Sequence, residues 1–216
     1  QGWYDLIDSW VRRQNPEDLL NVDIFYDGIP VHGDFALGEA VWNHAYQVGS
    51  RSPDFIKLLT MHAGEGKPPF TLFGGLKTDE HGRVDIKKHG LMPIFTAARA
   101  LSIRHDIRQR STPDRLRGLQ TKGIGAADDI EAVINAHQAI IAAMLAQQLS
   151  DTEQGVPLST RVNPDGIPKK ARAALVEALK KVSIATDMAN EGRVGGPSSS
   201  LAQPCLQFVH RPVLGE

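Results

Sequence analysis

At 216 residues, with 25 acidic against 24 basic side chains, the chain is long enough to bury a core and has no net field that would draw it to nucleic acid or an anionic membrane. A single cysteine, Cys205, excludes an intrachain disulfide and any cysteine-rich zinc site. No apolar run approaches the length of a membrane span, so a soluble, cytoplasmic protein is expected.

Trp3, Leu6, Ile7, Trp10 and Val11 recur at helical spacing, which predicts an amphipathic helix over residues 2–13, ended by Asn15-Pro16. Val22–Tyr26 is short, apolar, β-branched and aromatic, bordered by acids, and predicts a strand. Alternation would then place Asp23, Phe25 and Asp27 on one side and Val22, Ile24 and Tyr26 on the other. In Val31-His-Gly-Asp34, Asp34 is suited to cap a helix running to about residue 47. His32 there is a surface residue with no assigned chemistry. Pro53 opens a further helix to about residue 62.

Residues 70–76 and 83–87 flank the polar turn Thr78-Asp-Glu-His-Gly82, predicting a β-hairpin. Its second arm would be an edge strand with Asp85 and Lys87 on one face and Ile86 and Lys88 on the other. Lysines guard an edge strand against aggregation, and beside a glycine turn they also make a local cationic patch for phosphate or an acidic surface. Everything beyond is helical. Residues 91–105 bury Ile94, Phe95, Ala98 and Leu101. Residues 113–122 follow Thr112 as cap. Residues 126–150 carry a stripe from Ile130 to Leu149, and residues 168–190 repeat the pattern. His137, inside that stripe, reads as a hydrogen-bonded core histidine. Arg99, next to the buried Ala98, is expected in a structural ion pair with Asp106 or Asp114. With Arg104, Arg115 and Arg117 it makes a basic group around the turn between two helices. Gly123-Ile-Gly125 lacks the strand and lysine of a phosphate loop.

Taken together, Asn21-Val-Asp-Ile-Phe-Tyr-Asp27, Val31-His-Gly-Asp34 and the stretch Val84–Leu119 resemble one family. This is the C-terminal part of the nucleotidyltransferases associated with CBS and cyclic-nucleotide-binding domains, relatives of the PII-protein uridylyltransferases. The resemblance implies a mainly α protein. Residues 1–76 would be a small α/β remnant of a catalytic domain, residues 77–191 a substrate-binding bundle of four or more helices, and residues 192–216 a linker and arm. It also implies magnesium and a nucleoside triphosphate in the full-length protein, with neither held tightly here. The family's Gly-Ser turn followed by Asp-x-Asp is missing, since Gly49-Ser50 has no spaced acid pair after it. A chain opening at Gln1 is therefore expected to be a piece of a longer protein, cut inside the catalytic domain and inactive alone.

Within that frame Asp23 and Asp27 are the catalytic and metal-binding candidates, because a further acid in the family follows the Asp-x-Asp strand. The family's arginine two positions after the second acid is Ile29 here. As a solvated strand-border acid, Asp27 would cost under about 0.5 kcal/mol of stability when changed to Asn. Lys87, Lys88 and Arg115 are the substrate-binding candidates. A protein acceptor, PII-like by analogy, and CBS or cyclic-nucleotide-binding domains in the same longer chain are the implied partners in signal transduction. The other reading is a non-catalytic interaction or dimerisation module, a homodimer whose long stripes continue across an interface. A nucleic-acid-binding bundle is disfavoured by the balanced charge.

Overall fold

Helices start and stop close to where capping residues, prolines and glycines stand in the sequence. The computed structural model describes residues 1–13, 22, 24–63, 68–72 and 74–191. Helix α1 spans Gly2–Arg13 and buries Ile7 and Val11. Helix α2, Phe35–Gly49, is capped by Asp34, whose carboxylate accepts the Leu37 N–H at 3.1 Å. Helix α3, Pro53–Ala63, follows, and then strand β1, Val84–Asp85. A π-helical turn, Lys87–Leu91, runs without interruption into α4, Met92–Arg104. Helix α5 is Thr112–Thr121, α6 is Ala127–Glu153, strand β2 is Arg161–Val162, and α7 is Lys169–Glu191. The fold is mainly α, a helical bundle with one small antiparallel pair in which Val84 faces Val162 and Asp85 faces Arg161. No helix among the described residues is long and apolar enough to cross a membrane.

The middle of the bundle is α4. Its Ile94, Ala97, Ala98 and Leu101 pack into a core made with α5, α6, α7 and the two strands. From its other side Ala100 and Ile103 enter a second core made by α1, Val22, Tyr26, α2 and α3. A helix apolar on most of its circumference is surrounded, and the alanines let the neighbouring helices approach closely. At Gly90 the π-helical turn lies so near α6 and α7 that a Cβ would stand 2.9 Å from Ile140 and 3.1 Å from Leu179.

Three expectations need correction. Residues 22 and 24–27 are helical rather than a strand. Val22 and Tyr26, four apart, are both buried while Ile24 between them is 65 % exposed, so a period of four describes the segment and alternation does not. No strand lies among the described residues of 1–63, and within 1–76 an isolated bridge joins Phe70 and Leu76. The turn at residues 78–82 forms, with Asp79 accepting the His81 and Arg83 N–H groups at 2.9 Å each, but its arms do not pair with each other. Phe70 instead bridges to Leu76, and β1 pairs with β2 from beyond α6. Finally, the cap of α5 is Ser111, whose hydroxyl accepts the Asp114 N–H at 3.2 Å, one residue earlier than Thr112.

Smaller departures follow from packing. Trp3 and Leu6 on α1 stay 56 % and 41 % exposed instead of joining the core. His137 is buried edge-on against Phe95, 5.4 Å between ring centroids, and its Nδ1 meets no partner among the described residues. Burial holds its pKa below the usual histidine range.

Candidate functional site: a basic cleft and an arginine hub

The turn at Asp79, strand β1 and the π-helical turn place charged side chains around one concavity. It has a volume of about 540 Å³ and is walled by Pro68, Pro69 and Phe70 on its apolar side. Lys77, Asp79, Arg83, Asp85, Lys88, His89 and Arg161 supply the polar side. The wall is fixed by ion pairs between elements far apart in sequence. Arg83 reaches the C-terminal turn of α6 and binds Asp151 through two parallel bonds of 2.8 and 2.7 Å. Gln147 donates to the same carboxylate at 2.9 Å and accepts the Asn163 N–H at 2.9 Å, tying the residue after β2 to α6. Arg161 on β2 donates to Asp79 at 2.6 Å and lies 3.8 Å from Asp85. Hydrogen bonds from Arg83 hold the Asp151 carboxyl below the usual range. The Arg83 N–H and then Arg161 do the same for Asp79.

Both arginines of the cleft are thus committed to carboxylates. Asp85 accepts the Lys88 N–H at 2.9 Å, so its charge is directed at the backbone and toward Arg161. Lys77 and Lys88 remain. Among the described residues neither ammonium has an ion-pair partner, and both line the concavity. Lys88, a sequence candidate, therefore sits in the cleft. Lys87, the other, is exposed on the π-helical turn and does not line it. The two lysines were expected on opposite faces of a strand, and a helical turn separates them instead by its rotation per residue.

Asp27 and Arg115 lie together in a different place. Arg115 is 1 % exposed, and its Nη1 stands 2.7 Å from Asp27 Oδ1. Arg99, 6 % exposed, donates to Asp27 Oδ2, so the partner of Arg99 is Asp27 rather than Asp106 or Asp114. Arg115 also donates Nε to the Gln109 carbonyl at 2.8 Å and Nη2 to the Tyr26 carbonyl at 2.9 Å. Tyr26 donates its hydroxyl to the Ala45 carbonyl at 2.8 Å, and burial pushes its ionisation far above the usual tyrosine range. Arg110 stacks 4.0 Å over the Trp42 ring and donates to the Gly28 carbonyl at 2.9 Å. The segment ending at Gly28 is therefore locked to α2, α4 and α5. Arg117 pairs with Asp114 at 3.2 Å on the surface.

Each Asp27 oxygen already faces a guanidinium, an environment that repels a divalent cation. Asp23 lies outside the described residues. Among the described residues no three histidine, cysteine or carboxylate side chains gather as a metal site.

The cleft contains residues that the sequence reading did not single out as binding groups. Lys77, Arg83, Asp151 and Arg161 carry no local motif, and Arg83 and Asp151 are 68 positions apart. The one faint signal was Asp151 itself, a charge at the end of a helical face otherwise free of them from Ala132 to Ser150.

A family model described as putative nucleotidyltransferase substrate binding domain matches residues 53–191. No curated protein and no solved structure matches the chain. The matched region opens at the first residue of α3 and takes in α3 to α7, both strands and every residue lining the cleft.

Proposed function

We propose, on the premise that the chain belongs to the nucleotidyltransferase substrate-binding domain family, that it presents an acceptor to a catalytic partner domain from the cleft of Lys77 and Lys88. The observation that carries this reading is a pair of lysines without an ion-pair partner among the described residues, in a concavity whose arginines are engaged by carboxylates. Two exposed ammonium groups lining one concavity attract an anionic ligand and fix its position, and positioning is what a substrate domain contributes to transfer. The catalytic half, with its Gly-Ser turn and Asp-x-Asp pair, would bring nucleoside triphosphate and magnesium, whose role is to neutralise phosphate charge. This chain's own part is to bind, orient and keep the acceptor from drifting. The transferase belongs, on the same resemblance, to the uridylyltransferase-like enzymes of signal transduction.

The test measures incorporation of labelled nucleotide into acceptor by this chain supplied with its catalytic domain. Lys88→Ala and Lys77→Ala should raise KM for the acceptor about tenfold with kcat little changed, because they remove binding shared by ground and transition states. Unchanged KM in both variants would remove the cleft from acceptor recognition. The chain without the catalytic domain should incorporate no label.

A further inference from the structure

We infer that the cleft takes a small phosphomonoester, its dianionic group between Lys77 and Lys88 and its apolar body against Phe70 and Pro69. The inference rests on the cleft being the acceptor site.

Size sets the first limit. A concavity of about 540 Å³ falls among small-molecule pockets, whereas a protein surface would need a broad contact of about 800 Å² on each side. Charge sets the second. Of the four cations on the wall, Arg83 is matched by Asp151 and Arg161 by Asp79. Asp85, the third carboxylate, accepts the Lys88 backbone N–H and lies 3.8 Å from Arg161, so the set keeps one net positive charge and, among the described residues, two ammonium groups without an ion-pair partner. A phosphomonoester carries about −1.5 to −2 on one compact group with three acceptor oxygens, so it can engage both ammonium groups at once more strongly than a singly charged carboxylate.

Donor type points the same way. The forked guanidiniums that best grip a planar carboxylate are engaged with the protein's own carboxylates. The free donors are ammonium groups, point charges that suit a tetrahedral dianion from several directions. In the same concavity Pro68, Pro69 and Phe70 offer an apolar surface with no polar side chain to satisfy. A bare ion would leave that surface wet, and a ligand with a ring or short alkyl body would cover it. The site is therefore matched to an organic phosphate better than to inorganic phosphate.

Calorimetric titration of the whole chain with inorganic phosphate, phenyl phosphate and benzoate tests this. Phenyl phosphate should bind several-fold tighter than inorganic phosphate, and benzoate at least tenfold weaker than phenyl phosphate. Lys77→Ala and Lys88→Ala should each weaken phenyl phosphate about tenfold, and Lys87→Ala should leave it unchanged. The inference is overturned if phenyl phosphate shows no saturable binding, if benzoate equals it, or if the two cleft variants bind it like the parent protein. Loss of acceptor incorporation in the cleft variants without phosphate binding would overturn the ligand class and leave the cleft as acceptor site. Phosphate binding that the variants abolish, with incorporation untouched, would uphold the phosphate site and overturn the acceptor reading.

Discussion

Asp27→Asn should destabilise the fold by about 2 kcal/mol, against the cost under about 0.5 kcal/mol expected for a solvated strand-border acid. The carboxylate faces two guanidiniums, and the residues that carry them are 1 % and 6 % exposed, so removing its charge takes an anion from two buried cations. Breaking a fully buried pair in this way costs about 3–5 kcal/mol. Two features lower the figure here. The Asp27 side chain is 44 % exposed, so water reaches the mouth of the hub, and Arg115 keeps its carbonyl acceptors at 2.8 and 2.9 Å. Asparagine also retains one acceptor oxygen but turns a donor toward the other guanidinium. At about 2–4 °C per kcal/mol for a protein of this size, the thermal midpoint should fall by about 4–8 °C. Urea unfolding should show a lower midpoint at constant slope. Adding Arg115→Met to Asp27→Asn should lose less than the two single changes summed, because the orphaned cation goes with its partner. Unfolding of Asp27→Asn within about 0.5 kcal/mol of the parent, with additive behaviour in the double variant, would refute the hub.

Gly118→Ala should destabilise by about 1–3 kcal/mol despite the better helix propensity of alanine, since its methyl would stand 2.4 Å from the Ile107 Cγ2 in a packed interior. A urea midpoint at or above that of the parent would show that Ile107 moves aside freely. His137 should make the fold acid-sensitive. Its folded pKa lies below the unfolded value, so the unfolded chain binds the extra proton, and stability is lost as pH falls below about 6.5. Urea midpoints at pH 7.5 and 5 should therefore lie closer together in His137→Leu than in the parent, and parallel curves would assign the acid sensitivity to other groups.

Local chemistry determined most of the helices. Proline at the start of α3 and inside the first turn of α4 and α5, aspartate before α2 and apolar stripes of period 3.6 are short-range signals, read within one turn. The family resemblance was also legible, because the Val84–Leu119 stretch that carries much of it lies inside the matched region. Where a segment was too short for periodicity to separate helix from strand, as at residues 22–26, the decision fell to the partner surface. Tyr26 reaches the Ala45 carbonyl and its own carbonyl receives Arg115 and Trp42, while Ile24 is left 65 % exposed, off the face that Val22 and Tyr26 share. The same holds for Asp27, which looks like a free acid in sequence because the arginines that claim it are 72 and 88 positions away. The cleft was decided last. Its walls depend on Arg83 choosing Asp151 and on Arg161 choosing Asp79, and those pairings leave Lys77 and Lys88 unmatched. Sequence supplied the cations and the helices. Which charges cancel, and so which remain to bind a ligand, is a property of distances that exist only once the chain has folded.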